Sequence, residues 1–161
     1  MRDDRLKAIH RGGRLDLHRH RLLATWAADC AEHVLPLFGE QYPQDDRPRR
    51  AIEIARAWAC GEVTVGETRA AALEAHAAAL DAADDAAQAA ARAAGHAVAT
   101  AHMADHAPGA AAYAIRAVQA AGNGRDSVMA ADHERTWQQE RLPQEVRALV
   151  LSAGGRQSTS D

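Results

Sequence analysis

The sequence predicts an all-α fold, a single compact and alanine-rich bundle of about six to seven helices with no sheet. Alanine accounts for 41 of the 161 residues, and it has the highest intrinsic helix propensity. Leucine, isoleucine, valine and phenylalanine together number only 25, so alanine must supply the missing apolar bulk. No stretch alternates apolar and polar residues for long enough to form a strand. Because alanine side chains are small, we expect thin helices that approach one another closely.

Start and stop signals define the first two helices. Asp16 can cap a helix that runs to about Leu35, since its apolar residues recur at helical spacing. A second helix begins near Asp46, with Pro48 in its first turn, where the missing N–H costs nothing. Gly61 is a natural C-terminal stop for this helix.

The stretch from residue 70 to residue 121 contains 28 of the alanines. It has fewer helix start and stop signals than the region before it. Thr64 and Glu67 have the spacing of a capping box just before it. Asp84 can cap a new helix inside it, and Pro108 begins or kinks another. The remaining predicted helices span about residues 65–82, 85–106, 108–121, 126–142 and 143–152.

A single domain is expected, because the chain length falls within the usual range for one domain. Residues 1–15 contain two adjacent glycines and many charges, and they are predicted to form a loosely ordered lead-in. The helical domain is assigned to residues 16–152. The polar residues 153–161 are predicted to be a disordered tail.

The charge balance excludes several classes of protein. Nineteen basic residues against 22 acidic ones give a net charge of −3, which removes the basic footprint of a nucleic-acid binder. Charged residues and histidines interrupt the alanine-rich stretch, so no membrane span is predicted. The charged N-terminus lacks the apolar core of a signal peptide. The two cysteines, Cys30 and Cys60, are interpreted as buried reduced thiols, with a disulfide between them as the alternative. We therefore expect a cytoplasmic protein with no nucleic-acid or membrane partner.

The few large side chains are predicted to anchor helices to one another. In a core built mainly from alanine, each can bury roughly 150–250 Å². The candidate anchors are Trp26, Phe38, Trp58, Tyr113 and Trp137.

Nine histidines are present, and their placement defines a candidate polar cluster. His102 and His106 are four residues apart on one predicted helix face, with Asp105 beside them, a spacing that can chelate a metal. Asp29 and His33 are also four residues apart, on the first helix. If the two helices are neighbours, these side chains converge, as they do in metal sites inside helical bundles.

Three interpretations of this cluster stay open: a metal site, hydrogen bonds between helices, or placement on the surface. No HExxH pattern or cysteine ligand set supports a metal, so neither a metal nor another cofactor is assigned. His96 shares a predicted face with His106. We interpret it as a packed histidine bonded to a carboxylate such as Asp29 or Glu32, with a proton-transfer or ligand-binding group as the alternative.

No catalytic residue is assigned. The sequence contains neither a glycine-rich phosphate loop nor a serine in a nucleophile motif. We therefore expect that the protein is not an enzyme.

Four long phrases of the sequence resemble one bacterial family. They are LLATWAADCAEHVLPLF (22–38), DDRPRRAIEIARAWACGE (45–62), AAGHAVATAHMADHAPGAAAYA (93–114) and ERTWQQERLP (134–143). They are similar to a group of immunity proteins that resemble immunity protein five, over roughly residues 16–152. The resemblance implies that the protein binds and neutralises a cognate toxin used in bacterial competition. It transfers no catalytic or binding residues.

Two other hypotheses follow from the residues themselves. One is a metal- or small-ligand-binding helical domain that uses the His/Asp cluster between helices. The other is a structural or oligomerisation module. Flat alanine-rich faces are suited to self-association, so a homodimer is kept as a hypothesis.

Overall fold

The computed structural model describes residues 3–157, which form eight helices. They are α1 (Leu17–Val34), α2 (Pro36–Gly39), α3 (Arg47–Ala59), α4 (Val65–Asp81), α5 (Asp85–Ala99), α6 (His106–Ala121), α7 (Arg125–Arg141) and α8 (Gln144–Gln157). The described residues contain no strand, and an isolated bridge pairs Ala8 with Leu15. The predicted all-α bundle is confirmed. Its additional helix is the single turn α2, which begins at Pro36.

Helix α5 is the centre of the bundle. It contacts α1, α2, α3, α4 and α6. Eleven of its fifteen residues are buried, and nine of those eleven are alanine. Because a methyl group adds little to the width of a helix, several neighbouring backbones can approach α5 closely.

Helix α4 packs its alanines towards α5 and leaves its leucines outside. Ala75 and Ala78 are fully buried, whereas Leu73 and Leu80 are 73% and 74% exposed. The facing surface of α5 consists mainly of methyl groups, and only a flat face can lie close against it. Size therefore matters more than hydrophobicity in deciding which face of α4 is buried.

The alanine-rich stretch breaks earlier than predicted. Helix α5 ends at Ala99 rather than near residue 106, and α6 begins at His106 rather than at Pro108. The Thr100 hydroxyl donates to a carbonyl of the preceding turn at 3.0 Å. Pro108 lies in the first turn of α6, where its missing N–H has no intrahelical partner to lose. His102 therefore lies between the two helices, and the prediction that it shares a helix face with His106 is wrong.

The predicted stop and cap signals are confirmed at several helix ends. The Asp16 carboxylate accepts from the backbone N–H of Arg19 at 2.9 Å. Thr64 and Glu67 form a reciprocal capping box at the start of α4. Gly61 follows α3 with a φ of 78°, a left-handed conformation that glycine adopts without steric cost.

Residues 3–15, the described part of the expected loose lead-in, contact the bundle. They form two short 3-10 helices, Asp4–Leu6 and Ile9–Arg11. Leu6 and Leu15 are both buried in the main core.

At the other end, α8 continues to Gln157, past the predicted helix end near Ser152. Residues 158–161 of the expected disordered tail lie outside the described residues. The predicted domain limits at residues 16 and 152 stay predictions. Within residues 3–157, no helix is both long enough and apolar enough to cross a membrane.

The predicted anchors divide between two core clusters and the surface. Trp26 is 3% exposed, and its indole Nε1 donates to the backbone carbonyl of Gln138 at 2.9 Å. This bond connects α1 to α7. Trp58 of α3 belongs to a second, smaller core cluster together with Ala24 and Ala101. The other anchors are the buried Phe38 and the half-buried Tyr113 and Trp137.

Replacing Trp26 with alanine is expected to lower the free energy of unfolding by about 3–5 kcal/mol, because it leaves a cavity and an unpaired carbonyl. Chemical denaturation followed by circular dichroism measures this change. Leu73→Ala is the control, since Leu73 is largely exposed and its loss should cost no more than about 0.5 kcal/mol. A Trp26→Ala loss equal to that of the control would contradict the assignment of Trp26 as an anchor.

Candidate functional site

The structure divides the predicted polar cluster into two separate groups. Asp29 and His33 lie on α1 and bind side chains of α3 and α7. His106 contacts both His96 and His102 where α5 meets α6. The expected convergence of all these side chains on one place is not found.

The first group forms a surface that we call the Trp137 face. It consists of Asp29, Glu32 and His33 of α1 with Trp137 and Arg141 of α7, which line a depression of about 450 Å³. The His33 and Trp137 rings are parallel to within 3°, with their centroids 3.7 Å apart. The Arg141 Cζ atom lies 4.1 Å from the centroid of the Trp137 ring. Two groups this close to one ring must lie on its opposite faces, so the three side chains form a three-layer stack.

A buried carboxylate fixes this stack to the bundle. Glu134 is 3% exposed, and its Oε2 accepts from His33 Nδ1 at 2.7 Å. Gln138 Nε2 donates to Glu134 Oε1 at 3.3 Å and to the Ala111 carbonyl at 3.0 Å. Buried polar groups are costly to separate from their partners. The network therefore sets the orientation of the His33 ring, and through it that of the stack.

An arginine of α3 holds the two acidic residues of the Trp137 face. Arg56 Nη2 lies 2.8 Å from an oxygen of Asp29, and Nη1 lies 2.5 Å from an oxygen of Glu32. Partly exposed ion pairs of this kind contribute little to stability. Their effect here is to fix the positions of both carboxylates beside the stack.

Three residues of this site are assigned no site role from the sequence, and one of them, Trp137, is named there only as a helix anchor. Glu134, Trp137 and Arg141 are three and four residues apart, so they share one face of α7. The phrase ERTWQQER contained that spacing. A face with a carboxylate and a guanidinium is typical of solvent exposure, however, and only the position of α1 shows that Glu134 is buried.

The second group is a histidine cluster with His96 at its centre. The His96 ring centroid lies 5.6 Å from that of His76, 5.1 Å from that of His106 and 5.0 Å from that of Tyr113. The Nδ1 atoms of His96 and His106 are 3.2 Å apart and share one hydrogen bond. The ring of His102 lies 5.7 Å from that of His106. Three successive helices, α4 to α6, thus meet through imidazole rings.

The partner of His96 differs from the predicted one. Asp29 and Glu32 both bind an arginine of α3, so the interpretation that either binds His96 is wrong. A cation lies in the cluster instead, since Arg92 donates to His76 Nδ1 at 2.9 Å.

Asp105 lies at the edge of the histidine cluster. It is the residue before α6, and its side chain makes no capping bond to that helix. Its negative charge acts on the neighbouring His102 and favours the protonated imidazole there.

Burial disfavours the charged forms of three imidazoles of the cluster. It lowers the pKa of His96 to about 4, and the charges of His106 and His76 add to this effect. The pKa values of His76 and His102 are also lowered, mainly by burial. Neutral imidazole is the form that ligates metals. In the described part of the chain, however, no three or more His, Cys, Asp or Glu side chains are grouped so as to hold a metal ion. The bonds of His96 to His106 and of Arg92 to His76 connect neighbouring helices, which favours the interpretation of hydrogen bonds between helices for these residues.

Two glycines make room for the rings. A Cβ atom at Gly95 would lie 2.6 Å from the ring of His76, and one at Gly109 would lie 2.7 Å from the ring of His96. Real Cβ atoms do not approach other atoms this closely. Each ring therefore lies against the bare backbone of the next helix.

The free energy of unfolding is expected to decrease as the pH falls from about 6.5 to about 4. The folded pKa of His96 lies below its ordinary value of 6.5, so in this range the unfolded chain takes up a proton that the folded chain does not. Above pH 6.5 both states are neutral and the stabilisation is complete. In His96→Gln, unfolding should take up about one proton fewer at pH 5, as measured by denaturation at a series of pH values. An unchanged pH dependence would contradict this prediction; His133→Gln, at an exposed position of α7, is the control.

Gly109→Ala should destabilise the protein by about 1–3 kcal/mol, because the added methyl group overlaps the His96 ring. In a His96→Ala background the same change should instead stabilise it by about 0.5–1 kcal/mol, as expected for alanine in place of glycine in a helix. A double-mutant cycle measured by chemical denaturation tests this coupling. Additive effects of the two substitutions would show that the ring does not pack on Gly109.

Comparison with known proteins identifies the family of the chain. Residues 13–145 match a family model described as Imm-5 like putative immunity protein. Among curated proteins and solved structures, nothing matches the chain significantly. The matched region begins before α1 and ends in the first turn of α8, so it contains both the Trp137 face and the histidine cluster. Since it covers most of the sequence, the chain belongs to this family of immunity proteins.

Proposed function

We propose that the protein neutralises a bacterial toxin by binding it, without catalysing a reaction, and that the Trp137 face contacts the toxin. Membership of the immunity-protein family supports a protective role. The observation that carries the choice of surface is the stack of His33, Trp137 and Arg141 over the buried Glu134.

The composition of the stack suits a binding surface. Tryptophan and arginine are enriched among the side chains that dominate the energy of protein interfaces. Trp137 and Arg141 lie together here, and His33 and Glu134 restrict their movement. Side chains that are already ordered lose little conformational entropy when a partner binds. The face can therefore contribute to affinity at a low entropic cost.

The charges of the face define the chemistry of its partner. Arg141 presents a cation on one side of the stack. Asp29 and Glu32 lie beside the stack, and both form salt bridges with Arg56. A complementary toxin surface would place an apolar side chain against Trp137 and a carboxylate against Arg141. Such complementarity determines specificity and the rate of association.

We propose the cytoplasm as the compartment in which the protein acts. Cys30 and Cys60 are both free, and unpaired cysteines are typical of reducing compartments. Cys30 is buried as predicted, whereas the interpretation of Cys60 as buried is wrong because it is exposed.

A homodimer stays a prediction. The alanine faces that were expected to promote it are used within the chain, since Ala75 and Ala78 of α4 pack towards α5. Self-association would therefore have to use other surfaces.

Co-expression with the product of a neighbouring toxin-like gene tests the proposed function. The wild-type protein should form a complex with that product and restore growth. Trp137→Ala and Arg141→Glu should each weaken the complex by a factor of about 30 or more, the loss expected for a residue that dominates an interface. Affinity is measured by calorimetry, and circular dichroism verifies that both variants are folded.

Arg125→Glu is the matched control, because Arg125 is exposed at the opposite end of α7. It should leave affinity and growth unchanged. If the wild-type protein forms no complex and gives no protection, the toxin-binding proposal is wrong. If it protects and both Trp137-face variants protect equally well, only the assignment of the surface is wrong.

A further inference from the structure

A second cavity, of about 290 Å³, lies between α4, α5 and α6. Its polar lining consists of Asp85, Gln88 and Arg92 of α5 with Tyr113 and Arg116 of α6, and its remaining walls are alanines and a leucine. None of these residues belongs to the Trp137 face. The cavity adjoins the histidine cluster, because Arg92 and Tyr113 contact His76 and His96 respectively.

Two arginines of this cavity lack an acidic partner. Arg92 donates to the neutral acceptor Nδ1 of His76 at 2.9 Å, and the Arg116 guanidinium lies 5.2 Å from the Tyr113 ring centroid. Within residues 3–157, neither guanidinium forms a salt bridge with a carboxylate. Two uncompensated cations on one small concave surface create a positive local potential.

Apart from the arginines and the neutral Gln88 and Tyr113, the lining consists of apolar side chains and the carboxylate of Asp85. Ala79, Leu80 and Ala120 provide an apolar wall. Asp85 is the first residue of α5 and precedes Arg92 by two helical turns, so the two groups are separated by about 10 Å along the helix axis. A ligand bound to Arg92 is therefore separated from this carboxylate.

We propose that this cavity binds an oxyanion, a carboxylate or a phosphate, that is carried on a small molecule with an apolar body. Guanidinium groups bind such oxyanions through paired N–H donors. Arg92 and Arg116 hold the oxyanion, and the apolar body lies against Leu80 and the alanines. Asp85 repels a second negative charge at the far end, which favours ligands with a single anionic group.

Binding of an anion should also change the pKa of His76. Its pKa is lowered by burial and by the charge of Arg92, with a smaller effect of His106. The ring of His96 lies against its other side. An anion on Arg92 offsets the guanidinium charge, so the pKa of His76 should rise when the cavity is occupied. By linkage, the affinity for the anion should increase as the pH is lowered and His76 becomes protonated.

Titration with hexanoate and with inorganic phosphate tests the proposal and distinguishes the two oxyanions. At least one probe should bind the full-length protein at a single saturable site, with a dissociation constant of about 1 mM or lower. Tighter binding of hexanoate indicates a carboxylate ligand, and tighter binding of phosphate indicates a phosphorylated one. Calorimetry measures the affinity, and the nuclear magnetic resonance signals of the imidazoles report the pKa of His76.

Two substitutions should weaken binding and one should strengthen it. Arg92→Gln and Arg116→Gln should each reduce the affinity tenfold or more, whereas Asp85→Asn should increase it. The control is Arg49→Gln, because Arg49 is exposed and bonded to Glu53 on α3.

Two results would overturn the proposal. The first is the absence of saturable binding by either probe below about 10 mM. The second is binding that Arg116→Gln leaves unchanged. Arg116 is exposed, so Arg116→Gln should fold. The test therefore stays decisive even if Arg92→Gln fails to fold.

Discussion

The close approach of helices to the alanine surface of α5 is the constraint on which the rest of the structure depends. Most of helix α5 is buried, its buried surface is mainly alanine, and it contacts five other helices. Dispersion attraction in such a core comes from many short backbone and methyl contacts rather than from interlocking large side chains. Large side chains such as Leu23, Phe38 and Ile52 belong to the same core cluster. Trp26 in addition joins α1 to α7 through its indole hydrogen bond.

The same close packing explains how polar rings are accommodated in the interior. His76 and His96 each occupy the space above a glycine of the adjacent helix, and they remain neutral because burial disfavours their charged forms. Helix α7 accommodates buried polar side chains in a different way. The buried part of its surface includes Glu134 and Gln138, which bond to each other and to neighbouring helices. Polar contacts thus position the helix that carries Trp137.

The fold class and most helix boundaries could be predicted from the sequence, because alanine content and caps such as Asp16 and Thr64 act locally. The break after Ala99 could not be predicted, since no glycine or proline marks it and the turn is closed by Thr100. The site was predicted only in part. Asp29 and His33 were identified, but His33 acquires its role from Glu134, which lies 101 residues further along the chain. Such a pairing depends on which helices become neighbours, and local patterns do not contain that information.

The alanine interior also restricts which residues can be substituted during evolution. Almost any replacement of a buried alanine in α5 enlarges the side chain, and an enlarged side chain forces neighbouring backbones apart. Sequence change at these positions is therefore restricted whatever the protein binds. The outer layer of α7 is under no such restriction, and its larger side chains can diverge without disturbing the scaffold. Exposed residues such as Arg141 can therefore change while the interior stays the same.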